Sequence, residues 1–115
     1  MDKLAEADIE ARLAALPEWT QQGENIQRTY KFADFAEAMA FVNRIAEHAE
    51  RVKHHPDILI RWNKVMLTLS THDAGGLTAM DFDFADAADG LASPVEAGSG
   101  ASGGSGGGGG RKGKK

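Results

Sequence analysis

The chain has no cysteine among its 115 residues, which removes disulfides, thiolate metal sites and a thiol nucleophile together. No apolar run approaches the length of a membrane span, and the opening helical stretch, with Glu6, Glu10 and Arg12, is too polar for a signal peptide. The expected location is therefore the cytoplasm. Basic residues are sparse through most of the chain: residues 1–93 carry nine Lys and Arg against sixteen Asp and Glu, a balance of −7. An acidic body of that kind argues against a nucleic-acid surface on the folded part.

The remainder is different in composition. Residues 94–115 are mostly Gly, Ser and Ala and close on Arg-Lys-Gly-Lys-Lys, so this segment bears +3. It cannot bury enough apolar surface to offset its ordering entropy, and the expectation is one domain over residues 1–93 followed by a disordered tail over 94–115. Weak contact with nucleic acid or an acidic partner is conceivable for the basic end; a solubilising appendage is the plainer reading.

Within the body, hydrophobic spacing sets the element order. Residues 4 to about 15 form an amphipathic helix with Ile9, Leu13 and Leu16 on one face. Trp19 to Gln22 and Ile26 to Phe32 form a hairpin around Gly23-Glu24-Asn25, with Arg28 sharing a face with Ile26, Tyr30 and Phe32. Arg28 among such neighbours points to a pocket or a sheet edge. Asp34 and Glu37 then stand as N-cap and N3 of a long helix whose core positions are expected to be Phe35, Met39, Val42, Ile45 or Ala46, Ala49 and Val52. Asp57 to Trp62 and Val65 to Thr71 make a second hairpin, linked by Asn63-Lys64. Thr78 and Asp81, with Leu77 and Phe82 as a hydrophobic staple, start a third helix that should end near Gly90 or Ala92. The order α-β-β-α-β-β-α gives an α+β fold, a four-stranded antiparallel sheet with helices packed on one face.

Three of the four histidines fall in residues 50–81. Pro56 forces His55 out of helical conformation, so His54-His55-Pro56 marks a rim where the long helix gives way to a strand. The hairpin that follows brings His72 back to the same end of the sheet, and the expectation is that His54, His55 and His72 converge on one pocket. Glu50, one turn before His54, can reach the same rim.

Glu50, His54-His55-Pro56, Trp62, His72 and Asp81, at these separations, resemble the signature of the pterin-4a-carbinolamine dehydratases, and so does Ser-Thr-His-Asp-Ala-Gly-Gly-Leu-Thr at 70–78. The likeness runs from about residue 4 to about residue 92 and includes Ala-Leu-Pro-Glu-Trp at 15–19. It implies the same fold, a homodimer or homotetramer, and removal of water from a 4a-hydroxytetrahydropterin to give the quinonoid dihydropterin, in support of cofactor recycling beside an aromatic amino-acid hydroxylase. No cofactor and no metal are implied. His54, His55 and His72 take the family's three catalytic histidine positions, with His54 and His72 expected to move protons and His55 to hold the pterin or its hydroxyl. Glu50, Pro56, Thr71, Asp73, Ala74 and Asp81 are the substrate-contact candidates, Glu50 either orienting His54 or binding the pterin's N–H edge. Lys53 and Met80 depart from animal members, which tend to have an acidic residue and an arginine there, and Ala5 stands where a hydroxyl cap is expected.

Each position has a plainer use. His54 and His55 can simply complement a helix C-terminus, Asp81 can be only a cap, Trp62 core or pocket wall, and His48 a residue on a solvated helix face. Three histidines with a carboxylate could also bind zinc, but adjacent residues in extended chain point to opposite sides, which hinders His54 and His55 from sharing an ion. Relatives on this fold also serve as dimerisation or assembly modules, and a non-catalytic binding role is the alternative reading.

Overall fold

The computed structural model describes residues 2–96. Its elements follow the order α1 (Glu6–Ala14), β1 (Thr20–Gln22), β2 (Asn25–Lys31), α2 (Phe35–Val52), β3 (Asp57–Arg61), β4 (Lys64–Leu69) and α3 (Ala79–Glu96), with a short 3₁₀ turn at His72–Ala74. The strands form one antiparallel sheet in the order β1-β2-β4-β3. Ile26, Tyr30 and Phe32 from one hairpin and Val65, Leu67 and Leu69 from the other point to the helical side, where they meet Ile9, Phe41, Ile45 and Phe84. The expected α+β architecture is therefore the observed one. Among the described residues, no helix is long and apolar enough to cross a membrane.

Local chemistry explains where each element starts. The Asp34 side chain accepts the Glu37 N–H at 2.9 Å, and Glu37 reaches back to the N–H of Ala33 at 3.3 Å, a capping box displaced by one residue. At the start of α3 the Thr78 hydroxyl accepts from Met80 N–H and the Asp81 carboxylate accepts from Thr78 N–H, while Leu77 and Phe82 are both buried as the staple. Ala5 makes no side-chain cap, so α1 begins without one.

Four expectations need correction. The core stripe of α2 is Ala38, Phe41, Ile45 and Ala49, whereas Phe35 and Val52 face outward at 51 % and 40 % exposure. Two apolar stripes share this helix, and periodicity alone cannot say which one the sheet covers. Fully buried Phe41, with ring centroids 4.7 Å from Tyr30 and 5.1 Å from Phe32, anchors the chosen stripe; its truncation to alanine costs about 3–5 kcal/mol. The second hairpin turns at Trp62-Asn63, since Arg61 and Lys64 are paired. Asn63 is drawn into the turn because its side chain donates to the carbonyl of Phe32 at 2.9 Å while its own carbonyl accepts from Phe32 N–H. Arg28 stands half-buried on β2, between β1 and β4, and not at a sheet edge: it donates to Asp89 at 2.9 Å and lies over the Tyr30 ring at 4.3 Å. Trp19 Nε1–H and the Tyr30 hydroxyl donate to the same carboxylate oxygen, so Asp89 ties α3 to the first hairpin. Finally, α3 continues past Gly90 to Glu96, because packing of Phe84, Ala85, Ala88 and Ala92 against the core outweighs the weak helix preference of one glycine. Most of the Gly-rich segment expected to be disordered, residues 97–115, lies outside the described residues.

Candidate active site

The C-terminus of α2, the start of β3, the end of β4 and the loop before α3 meet at one end of the sheet. Lys53 closes α2 in the left-handed conformation (φ 57°), and the chain then leaves through His54-His55-Pro56. As extended geometry requires, the two imidazoles part: the His54 side chain is 10 % exposed and that of His55 62 %.

His54 turns inward. Its Nε2 lies 2.6 Å from Oδ1 of Asp81, whose side chain is wholly buried. The other oxygen of that carboxylate accepts from the Thr71 hydroxyl and from Thr78 N–H, both at 2.9 Å, and the Thr71 and Thr78 hydroxyls are 2.9 Å apart. An ionised carboxylate only accepts, so this contact makes Nε2 the protonated nitrogen of His54. The N3 cap of α3 is thus also the group that fixes the His-His-Pro turn and the Thr71 segment to each other.

His55 turns outward to a cleft. Glu50 Oε2 is 2.6 Å from its Nε2, and by the same reasoning Nε2 carries the proton and Nδ1 the lone pair. Of the two uses expected for Glu50, orienting His54 or binding the pterin's N–H edge, the first is corrected here: Asp81 pairs with His54, and Glu50, one helical turn earlier on the exposed side, pairs with His55. The cleft has a volume of about 330 Å³, within the range of small-molecule sites, and is lined by His55 and His72 together with Glu24, Asn25, Asp57, Thr68, Ser70, Gly75 and Gly76. His72 reaches it from the first residue of the 3₁₀ turn, a segment pinned by the Thr71–Gly76 bridge and closed by Gly75 at φ 77°.

Two of the three imidazoles therefore share the cleft, and His54 stands behind it as a buried anchor. Pro56, Thr71, Asp73 and Ala74 lie in the segments next to His55 and His72 but are not among the lining residues. Asp57 and Thr68, which sequence reading passed over, are direct cross-strand partners on the open face, visible in the period-2 alternation once the register is known. Ser70, whose hydroxyl donates to the Glu24 carbonyl at 2.8 Å, brings the first hairpin to the rim. Among the described residues, no three His, Asp or Glu side chains gather closely enough to ligate one metal ion.

His48 is not on a freely solvated face. It packs edge-on to Phe84, with ring centroids 4.9 Å apart, and desolvation together with nearby Arg51 lowers its pKa from 6.5.

The family described as pterin 4 alpha carbinolamine dehydratase matches residues 2–91. A relative from Acidobacterium capsulatum, itself assigned by inference as a pterin-4-alpha-carbinolamine dehydratase, is 54 % identical over 97 residues, covering 84 % of this chain and 98 % of that one. A similarly assigned protein from Thermomicrobium roseum is 52 % identical over 93 residues, with 81 % of this chain and all of that one covered. Among solved structures, a transcriptional coactivator/pterin dehydratase from Brucella melitensis superposes with a TM-score of 0.77 at 34 % identity, over 80 % of this chain and 100 % of that chain. A pterin dehydratase-like protein described as a RuBisCO assembly factor in the alpha-carboxysome gives 0.57 at 27 % identity, over 65 % and 89 %. With the match spanning nearly all the described residues, the chain belongs to the pterin-4-alpha-carbinolamine dehydratase family.

Proposed function

We propose that this chain dehydrates 4a-hydroxytetrahydropterins by acid–base catalysis in the cleft of His55 and His72. The observation that carries the reading is the pairing of two exposed imidazoles across one small cavity, one of them with its tautomer set by Glu50. The substrate carries a hydroxyl on the carbon beside a ring N–H. As the C–O bond breaks, the hydroxyl takes a proton from an imidazolium and leaves as water; the ring nitrogen gives its proton to a neutral imidazole as the C=N bond forms. One acid and one base complete the balance, and histidine serves as either near neutral pH. Glu50 leaves Nδ1 of His55 as the accepting atom, which favours His55 as the base and His72 as the acid. His54 acts through Asp81 as a positioning residue. Pro56, Thr71, Asp73 and Ala74, on the segments that carry His55 and His72 beside the cleft, are the further pterin-contact candidates, and no cofactor is needed for the step.

The family relationship supports placing this reaction in pterin recycling beside an aromatic amino-acid hydroxylase in the cytoplasm, with the chain acting as a homodimer or homotetramer. A non-catalytic assembly role is the second reading. It is favoured by outward-facing Phe35 and Val52 on α2 and by the assembly function ascribed to one structural relative.

The deciding experiment follows the decay of freshly generated 4a-hydroxytetrahydropterin with wild type, His55→Ala and His72→Ala. Acceleration by wild type that falls by about 10²-fold or more in each variant supports dehydration in this cleft. A folded wild type that leaves the decay rate unchanged retires the enzyme reading in favour of the assembly one.

A further inference from the structure

The face of the sheet that no helix covers carries a second cavity, at the end opposite the histidine cleft. It has a volume of about 660 Å³ and is lined by Thr29, Leu59, Arg61, Trp62, Asn63, Lys64 and Met66, none of them acidic. The Asp57–Thr68 pair of the histidine cleft and the Leu59–Met66 pair of this cavity are successive rows on that face, so the nearest walls of the two cavities are about 7 Å apart along the strand.

Strand register assembles three cations at that end. Lys31 pairs with Lys64, and Lys64 pairs with Arg61, so their side chains stand in one cross-strand row about 10 Å long. Like charges directly opposite each other destabilise a sheet. All three are exposed, and among the described residues none lies within ion-pair distance of a carboxylate. In a body of net charge −7 that holds nine basic residues, three of them unpaired in one row is a concentration that the fold itself does not use.

Beside the row stands an aromatic surface held at a conformational cost. Trp62 is 68 % exposed and sits at φ 53°, a left-handed turn position that ordinarily goes to Gly or Asn. A bulky residue there is strained, and such strain concentrates at ligand sites. Next to it Asn63, only 4 % exposed, belongs to the cavity lining, and its buried Oδ1 has no hydrogen-bond partner among the described residues. Leu59, Met66 and Thr29 form the adjoining row and give the cavity a mainly apolar floor.

We propose that this cavity binds a nucleoside phosphate, its planar base stacked against the Trp62 indole over Leu59 and Met66 and its phosphates held by Arg61, Lys64 and Lys31. A ring alone would leave the cations unpaired, and phosphate alone would leave the indole in water; a ligand with both parts satisfies both. The site is independent of the histidine cleft and does not rest on the dehydratase reading.

Fluorescence provides the test, because Trp19 is buried at 4 % exposure and Trp62 is the accessible indole. The full-length chain is titrated with ADP, with adenosine and inorganic phosphate as separate probes. The expected result is saturable quenching by ADP that weakens at least about tenfold for adenosine and for Lys31→Ala/Lys64→Ala, and that declines with added salt. The double variant keeps its circular dichroism, since both lysines are exposed, and the quench is absent in Trp62→Phe. Three outcomes overturn the proposal: no saturable quench by ADP; a quench indifferent to the double variant, which would place the nucleotide elsewhere, the histidine cleft included; or a wild-type Trp62 emission already that of a buried indole, with a dimer in sedimentation, which would assign this face to a second copy of the chain.

Discussion

Nε2 of His54 lies 2.6 Å from Oδ1 of Asp81, in a position where the Asp81 side chain has no solvent contact. The same carboxylate also satisfies Thr71 and the first N–H of the α3 cap. Removing it strands three donors in the interior at once. Asp81→Ala is therefore expected to cost about 3–5 kcal/mol, and Asp81→Asn less, because its amide oxygen still accepts one bond while its NH₂ faces donors. Urea unfolding with an unchanged slope against denaturant is the check; a loss below about 1 kcal/mol for Asp81→Ala would show that the network contributes little.

The second carboxylate–histidine pair has the opposite character. Glu50 and His55 are exposed, so Glu50→Gln should change stability by no more than about 1 kcal/mol. Its effect should appear in dehydration, with a fall of about tenfold or more as His55 loses its fixed tautomer, measured on the same substrate decay. A Glu50→Gln protein with full activity would leave the pair without a catalytic part.

His48 predicts an acid limb in stability. Its folded pKa is below the unfolded 6.5, so protonation favours the unfolded chain: the penalty is absent well above 6.5, sets in as pH falls through that value, and is complete below the folded pKa. His48→Gln should flatten the stability profile as pH falls through 6.5 relative to wild type, read from urea midpoints across pH. Parallel profiles would assign that limb to other groups.

Trp62 should yield stability on replacement. At φ 53°, Trp62→Gly or Trp62→Asn relieves a left-handed position and is expected to raise stability by about 1 kcal/mol, since the lost side chain is mostly in water. Thermal midpoints decide it. A destabilised Trp62→Asn would mean that the indole contributes packing in solution that its exposure conceals.

What could be read from the letters alone follows one physical rule: local chemistry is legible where the partners are close in sequence. The Asp34 and Thr78 caps, the staple of Leu77 and Phe82, the period-2 strands and the helix spacing each involve groups within a few residues, and they specify seven elements in order and an α+β fold. Adjacent His54 and His55, in extended chain, had to face apart. Other features depend on which surfaces meet. The sheet covers the Ala38, Phe41, Ile45 and Ala49 stripe of α2 in preference to the neighbouring apolar one, because Tyr30 and Phe32 offer rings there. Only that docking, which brings α3 across α2, makes Asp81 the partner of His54 over 27 residues and leaves Glu50 to His55. The register of β2, β4 and β3 likewise decides that Lys31, Lys64 and Arg61 stand in one row and that Asp57 and Thr68 join His55 and His72. Sequence spacing determined the elements and named the histidines; packing between distant elements, which no local pattern encodes, decided which histidines share a cleft and which one is locked behind it.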